Sequence, residues 1–436
     1  MVATPLVFER WNELSAWFAE RARKLGVGAA DVALSVKGET RTIRYSKTEP
    51  NGTSLEARLP PLGCVGKLLT AQGVLELVNA GRLSLHDTVA DRLGDLGPKV
   101  ADATRDVRIG HLLAHTSGIV AEPSFVEAAD FISASGGRFD GFRNFAAPGE
   151  IYSYENANFI LLGELLRRLT GQTWPDAVQE LVLDRYGCGD LVELEQSPLP
   201  PADGAEARRQ AIVPAWCTEF GADVETLARF ANAHLTGALT QSDPVATLMR
   251  QAPGWTPSIG DTDVLGFAFK HSTSGDYGHF GFTDKSRVDL TISPRRQVTV
   301  VIATSGPVNN CAQLIAEMLG RRLGLFSSGR AIKAAVKGEP PSREDGYSGT
   351  FVHEYMRADV RRRDGDLYLS FVNDSPHVEA LQFGVPATRP VRLQQVSPRL
   401  FAVSPKSSHF VEYVGEKSVD RFKYMRIADV VYAASP

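Results

Sequence analysis

A cysteine and a lysine three residues apart, Cys64 and Lys67, lie at the start of a predicted helix and could form a nucleophile with its base. Apolar residues at helical spacing follow them as far as Gly81, where a helix-ending glycine is expected. Residues three apart share one side of a helix, so Lys67 is expected beneath the thiol. The free N–H groups of the first turn favour a thiolate, and a lysine kept out of water can act as a base. The pair alone also fits an inert, buried cysteine and a lysine that reaches solvent.

A second polar group, Tyr154, Glu155 and Asn156, comes just ahead of another predicted helix, which Gly171 closes. A tyrosine near a lysine can act as a base or a proton relay. An asparagine amide can hold both a lysine and a substrate carbonyl. Without further context, a turn asparagine with a packing tyrosine is the simpler interpretation.

A third group, His279 and Gly281, lies among strand-like runs late in the chain. Glycine permits close approach of another backbone, so an N–H group on this strand could face a substrate oxygen. His279 could line the same cleft.

Two further histidines, His111 and His115, are four apart on a predicted helix over 108–118, which is the spacing of a zinc pair. Leu112 stands where a metalloprotease has its glutamate, and no third ligand is evident. A histidine hydrogen-bonded within the fold is therefore favoured, and the sequence predicts no metal or other cofactor.

The composition is that of an ordinary globular protein. The 436 residues include 43% hydrophobic and 22% charged residues, with a net charge of −4. No basic block is present that would favour nucleic acid or a membrane surface as a partner. The N-terminus lacks the pattern of a signal peptide, no run is long enough to span a bilayer, and the cysteines are scattered, so we expect a cytoplasmic protein with reduced thiols.

The hydrophobic pattern divides the chain into two parts. A helix over 8–25, a strand pair and further helices come first, strand-like runs follow between 265 and 304, and the irregular segment 121–146 suits a loop over an active site. Residues 327–345 are typical of a linker. About eight short alternating runs in 346–436 predict an antiparallel barrel or sandwich.

The order of these motifs resembles the serine β-lactamase and penicillin-binding-protein superfamily. The shared features are a small residue followed three positions later by lysine at a helix start, Leu-Leu-x-His-Thr-Ser-Gly, Tyr-x-Asn after Pro-Gly, and His-x-Gly on a late strand. More narrowly, the chain is similar to the class C β-lactamase, D-aminopeptidase and esterase branch over about residues 25–325. The resemblance implies an α/β fold, more strictly α+β, with an antiparallel sheet flanked by helices and an all-helical insertion. The expected domains are 1–326, with a helical subdomain at about 85–240, and a lipocalin-like barrel at 346–436.

The resemblance also implies catalytic roles for three residues. Cys64 stands at the position of the nucleophile, Lys67 at that of its general base, and Tyr154 at that of the second acid or base. A small-molecule acyl donor would form an acyl-enzyme, and an amine or water would accept the acyl group.

Substrate-binding roles follow in the same way. Asn156 matches the residue that positions lysine and substrate, and His279 with Gly281 matches the third motif. The oxyanion hole would consist of the backbone N–H groups of Cys64 and Phe282.

Two positions depart from the family pattern. Cysteine replaces the nucleophilic serine at Cys64, and Glu155 replaces a small residue between Tyr154 and Asn156. The added carboxylate of Glu155 could bind a substrate amine or could point at water.

The cysteine changes the expected reaction. A thiol ionises more readily than a hydroxyl, so Cys64 needs less help from Lys67 and Tyr154. Its acyl-enzyme would be a thioester, which amines attack readily. A site that excludes water and binds an amine would then transfer the acyl group instead of hydrolysing it. The sequence therefore favours an acyltransferase that forms an amide, for example in the synthesis of an antibiotic or another secondary metabolite.

Three alternatives stay open. The chain could be a hydrolase acting on esters, D-amino-acid peptides or lactams. It could be a binding protein that has lost the chemistry, or Cys64 could be a designed replacement for serine. The barrel is expected to cover or shape the cleft, so its removal should change substrate choice more than the reactivity of Cys64. The acyl donor, the acceptor and the oligomeric state are not predicted.

Overall fold

The computed structural model describes most of the chain. Most of the predicted loop at 121–146 and all of the predicted linker at 327–345 lie outside the described residues. The described residues are 8–47, 59, 61–93, 98–121, 142–194, 220–235, 264–265, 270–271, 275–282, 286–325, 346–353, 356–372, 390–397, 399–403, 410–417, 422–427 and 430–435.

A seven-stranded antiparallel sheet lies at the centre of the first part of the chain. Its strands are β1 (Ala29–Val36), β2 (Glu39–Ser46), β7 (Val264–Leu265), β8 (Lys270–His271), β9 (Tyr277–Phe282), β10 (Ser286–Ser293) and β11 (Val298–Ser305). Their order is β2-β1-β11-β10-β9-β8-β7. Alternate residues of β11 face two different apolar layers, with Val300 in one and Val301 in the other. Because helices cover both faces, β1 and β10 are buried along their whole length.

Two helices from the ends of this part cover one face of the sheet. They are Trp11–Lys24 and Val308–Ala316, and a π-helical turn at Glu317–Leu323 continues the second. The guanidinium of Arg21 donates two hydrogen bonds of 2.7 Å each to the carboxylate of Glu317. This forked pair ties the N-terminal helix to the end of the sheet domain.

The other face carries the helix of Cys64 and the predicted helical insertion. Two short antiparallel strand pairs also occur in this region. The predicted insertion is therefore mainly helical and not all-helical. In the part of the chain that is described, no helix combines the length and apolarity required to cross a bilayer. The elements are the helices Gly66–Asn79, Val89–Leu93, Pro98–Thr104, Ile109–Leu113, Asn156–Thr170, Trp174–Val178 with its π-helical continuation Gln179–Asp184, and Val224–Ala233, and the strands β3 (Ile119–Ala121), β4 (Phe142–Asn144), β5 (Val192–Glu193) and β6 (Phe220–Gly221).

The C-terminal part is a closed antiparallel barrel of eight strands, which confirms the predicted architecture. Alternate residues along its strands face inward and fill its core, among them Phe351, Phe401 and Tyr413. The strands are β12 (Gly349–His353), β13 (Met356–Arg363), β14 (Asp366–Val372), β15 (Val391–Ser397), β16 (Leu400–Ala402), β17 (Phe410–Lys417), β18 (Phe422–Ile427) and β19 (Val430–Ala434).

Candidate active site

Cys64 lies in a short 3₁₀ turn at Gly63–Val65, which leads directly into the helix Gly66–Asn79. The predicted position at the helix start is therefore displaced by one tight turn. Gly63 has a φ of +52°, a left-handed conformation that side chains disfavour. Cys64 is a partly exposed residue.

Lys67 is fully buried one turn further along the same helix. The alternative that this lysine reaches solvent is therefore wrong. Among the described residues, its Nζ has no hydrogen-bond partner. Its Nζ instead lies over two aromatic rings, 5.0 Å from the centroid of Tyr154 and 5.9 Å from that of Phe159. The faces of these rings attract a positive charge, so they would stabilise Nζ after it has taken up a proton.

The backbone of β9 lies directly against the Cys64 turn. A Cβ atom added to Gly281 would lie 2.4 Å from the carbonyl oxygen of Leu62 and 2.7 Å from the nitrogen of Cys64. A Cβ atom added to Gly63 would lie 2.8 Å from the nitrogen of Phe282. All three distances are too short for a real side chain, so only glycine permits this contact. The contact brings the amide nitrogens of Cys64 and Phe282 close together, as an oxyanion hole requires.

Tyr154 is held between two histidines. Its ring stacks on that of His115 with the centroids 4.5 Å apart, and the ring of His279 lies 6.0 Å away on a tilted plane. The imidazole of His279 is nearly fully buried, and its Nδ1 donates a 2.7 Å hydrogen bond to the carbonyl of Phe280. Tyr154 therefore contacts both the buried lysine and β9.

His115 binds the backbone on both sides of Tyr154. The N–H of Ser153 donates to the carbonyl of His115 over 2.9 Å. The N–H of Glu155 donates to His115 Nδ1 over 3.0 Å, and the amide of Asn158 lies 3.1 Å from the same nitrogen. Because Nδ1 accepts a hydrogen bond from a backbone N–H group, the imidazole carries its proton on Nε2. We call residues 154–156 the YEN segment. His115 thus fixes the position of its backbone.

The predicted histidine pair does not share a helix face. The helix Ile109–Leu113 ends before His115, which adopts a φ of +56°. His111 stays on the helix, where its Nδ1 accepts a hydrogen bond from the N–H of Arg108. The interpretation of His115 as a histidine hydrogen-bonded within the fold is confirmed. Its stacking on Tyr154 was not predicted.

Glu155 turns its carboxylate away from Tyr154 and towards the barrel. Its Oε1 accepts a 3.0 Å hydrogen bond from Ser153 Oγ and lies 3.6 Å from Nε2 of His353 on β12. The residue is only 6% exposed, so the expectation that its carboxylate points at water is wrong. Its binding of a substrate amine stays a prediction. Asn156 follows as the first residue of the helix Asn156–Thr170.

Lys67, Tyr154 and His279 therefore form one chain of contacts, while the backbone of Gly281 meets the turn that carries Cys64. Phe282 lies at the edge of this site with 48% of its surface exposed. The catalytic and binding roles of these residues stay predictions. The sequence analysis missed the contributions of His115 and His353, and only the Leu-Leu-x-His-Thr-Ser-Gly motif pointed to the first of them.

The sequence matches the family described as Beta-lactamase over residues 14–319. Penicillin-binding protein 4 of Amycolatopsis lactamdurans is 28% identical in an alignment of 307 residues that covers 60% of this chain and 77% of that protein. Protein flp of Staphylococcus aureus is 30% identical over 115 residues, which cover 25% of this chain and 22% of that protein. The chain thus spans under a quarter of the length of Protein flp.

Among solved structures, SurE with D-Leu is similar to the whole chain. It matches with a TM-score of 0.71 and 20% identity over 97% of this chain and 99% of that chain. The D-amino acid amidase from Ochrobactrum anthropi SV3, complexed with D-phenylalanine, matches with a TM-score of 0.52 and 17% identity over 70% of this chain and 99% of that chain. At such identities these structures show the fold alone.

The family match covers more than half of the chain and confirms the superfamily that the order of the motifs predicts. Members of this family act as hydrolases or acyltransferases. The chain therefore belongs to the β-lactamase family and is an enzyme that acts through a covalent acyl-enzyme.

Proposed function

We propose that this enzyme is an acyltransferase in which Cys64 forms a thioester acyl-enzyme and passes the acyl group to an amine. The observation that carries the proposal is the contact of Gly281 with the Cys64 turn. It brings two backbone N–H groups close together beside the partly exposed Cys64. Donors fixed in this way can stabilise the oxyanion of an acyl-transfer step.

In the first step, Sγ of Cys64 attacks the carbonyl carbon of the acyl donor. The C–S bond forms and the bond to the leaving group breaks, while the N–H groups of Cys64 and Phe282 donate to the oxyanion. Lys67 takes the thiol proton, and Tyr154, whose ring lies 5.0 Å from the lysine Nζ, relays a proton to the leaving group.

In the second step, the amine nitrogen attacks the thioester carbonyl. The C–N bond forms, the C–S bond breaks, and the proton that the amine loses returns to the sulfur through Tyr154 and Lys67. Amines attack thioesters readily, because sulfur donates less electron density to the carbonyl than oxygen does. The buried surroundings of Lys67 and His279 limit the water available to compete.

The substrate class follows from the fold neighbours as part of the same proposal. SurE was crystallised with D-Leu and the amidase with D-phenylalanine. We extend this to the present chain, so that the acyl donor or the amine contains a D-amino-acid residue next to the reacting carbonyl or nitrogen. The exposed ring of Phe282, stacked on Phe280, offers an apolar surface beside the oxyanion hole. A product of this kind suits a secondary metabolite.

Hydrolysis is the second candidate, since water could discharge the same thioester. This candidate is supported by the amidase among the fold neighbours and by the penicillin-binding protein among the relatives. The two candidates share the first step and differ only in the acceptor.

Intact-mass spectrometry after brief exposure to activated esters and thioesters of D- and L-amino acids tests the proposal. We expect an adduct on Cys64 that added amines discharge faster than water does. Adducts lost equally fast with and without amine would favour the hydrolase, and no adduct from any donor would contradict the proposal.

A pair of cysteine variants controls for reaction elsewhere. Cys64→Ala should abolish the adduct. Cys311→Ala should retain it, because Cys311 is fully buried and burial raises the pKa of its thiol.

A further inference from the structure

The barrel contacts the stretch of chain that leads into the YEN segment. Glu150 accepts hydrogen bonds of 2.6 Å from Lys423 Nζ and 3.1 Å from the hydroxyl of Tyr424. Ile151 packs with Tyr424 and Val414 in one apolar cluster that both domains share. The barrel therefore rests on residues that immediately precede the proposed catalytic tyrosine.

One barrel residue contacts the YEN segment itself. Nε2 of His353 lies 3.6 Å from Oε1 of Glu155, and the two side chains are 5% and 7% exposed. This distance is longer than a good hydrogen bond, but it places the imidazole against the carboxylate where both side chains are almost fully buried. The contact joins the end of β12 to the residue between Tyr154 and Asn156.

Aromatic side chains of both domains pack around His353. The ring of Tyr432 lies 5.6 Å from that of His353, and the ring of Phe145 meets it edge-on at 6.3 Å. His353 also lines a cavity of about 280 Å³ together with Arg143 and Phe145. When a mutation removes a packed ring that has free space beside it, a small molecule added to the solution can take the place of the ring.

The backbone at Glu155 transmits the position of this side chain to its neighbours. Glu155 is extended, with φ −131° and ψ +128°, so successive side chains point to opposite sides. Tyr154 accordingly faces His115 and Lys67, whereas Glu155 faces the barrel. A displacement of Glu155 that extends to its backbone would move the residues on either side of it.

We propose that His353 is a positioning residue, which acts through Glu155 to hold Tyr154 and Asn156 in place for acyl transfer. This inference rests on the proposed function. It changes the expectation for the barrel, which would then support the reaction at Cys64 and not only the choice of substrate. A displacement of about 1 Å at a reacting group costs about 100-fold in rate, which sets the scale of the expected effect.

Two rates measured on the full-length protein test the proposal. The first is acylation of Cys64 by an activated ester, and the second is its alkylation by iodoacetamide, which needs only an accessible thiol. His353→Ala should lower the acylation rate roughly 10- to 100-fold and leave alkylation within about threefold. Imidazole, which fits the adjoining cavity, should restore at least part of the acylation rate.

Phe351→Leu is the matched control. Phe351 lies two residues earlier on β12, where its side chain is fully buried in the barrel core and packs against Tyr413. This variant loosens the barrel and should leave acylation within about threefold of the wild type. Acylation by His353→Ala at the wild-type rate, an equal loss in Phe351→Leu, or no rescue by imidazole would overturn the proposal.

Hydrogen exchange separates this proposal from the proposed function. His353→Ala should increase exchange of the amides around Glu155 and leave those of the helix Gly66–Asn79 unchanged. If the wild type forms no acyl-enzyme, the proposed function fails, and the exchange result still decides whether His353 positions the YEN segment. Unchanged exchange around Glu155 would overturn the positioning role.

Discussion

The two sides of the candidate active site are held by different kinds of contact. On one side, the Cys64 turn meets β9 through backbone atoms, with Gly281 and Gly63 at the point of contact. On the other side, the YEN segment is held by side chains, above all His115. Backbone contacts cannot yield without moving whole elements, whereas side chains can re-pack. Substitutions on the first side should therefore cause large losses in the acylation rate, and substitutions on the second side should cause smaller, graded losses.

Gly281→Ala should have the largest effect. The added methyl group would collide with the backbone at Leu62 and Cys64, so the two elements must separate and the proposed oxyanion hole would open. Loss of an oxyanion donor costs about 10²- to 10³-fold, and we expect at least this loss in the rate of acylation. Stopped-flow acylation with an activated ester measures it.

Gly73→Ala provides the matched control for this prediction. Gly73 lies inside the helix Gly66–Asn79, and an added Cβ atom would lie 3.4 Å from the side chain of Leu166, an ordinary contact. This variant should keep its acylation rate. An acylation rate in Gly281→Ala within tenfold of the wild type would show that the backbone contact is not essential.

Lys67→Met tests the proposed role of the buried Lys67 as the base on the Cys64 side. Methionine fills nearly the same volume without the amine, so the proton transfer is lost and the packing is retained. General-base catalysis contributes about 10²- to 10⁴-fold, and a loss near the lower end is expected because a thiol needs less help. Thermal unfolding should show equal or greater stability, since a buried amine without a hydrogen-bond partner among the described residues is removed. An unchanged acylation rate would exclude Lys67 as the base.

Two substitutions of His115 probe the YEN side. His115→Asn keeps a side-chain acceptor and tolerates the left-handed backbone at this position, whereas His115→Leu keeps neither property. We expect a loss of roughly tenfold or less in acylation for the asparagine and up to about 100-fold for the leucine. Equal losses in both variants would mean that the bond from the N–H of Glu155 does not position the segment.

Glu317→Gln should have the smallest effect on acylation, because it lies on the sheet face away from both sides. The bonds from Arg21 outweigh burial and lower the pKa of Glu317 to about 2. A lowered carboxyl pKa stabilises the fold above the unfolded value near 4.5, and this stability is lost as the pH falls towards 2. The variant should be less stable at pH 6, and the difference should shrink between pH 4.5 and 2. Thermal unfolding against pH measures this difference, and a constant difference would contradict it.

The Cys64 side could be predicted from the sequence because its determinants are local. The helix after Cys64 follows from apolar spacing, and the glycine of β9 pointed to a close backbone approach. The turn at Gly63 was missed because the apolar pattern begins only after it. Similarly, the alternating runs predicted the eight barrel strands, since each strand has one face in the barrel core.

The YEN side could be predicted only in part. The residues Tyr154 and Asn156 were identified, but the groups that hold them come from distant parts of the chain. His115 has a positive φ that no local pattern indicates, and its bond to Glu155 forms only in the folded protein. The contact of His353 depends on how the barrel packs on the first domain, which strand patterns do not encode.

The partition of the acyl-enzyme between amine and water tests the central claim most directly. Wild type and Cys64→Ser would be acylated with the same donor, and the ratio of amide to free acid would be measured at one amine concentration. We predict mainly amide from the thioester of the wild type and a shift towards free acid from the oxygen ester of the variant. Mainly free acid from the wild type at saturating amine, or the same ratio from both proteins, would contradict the account.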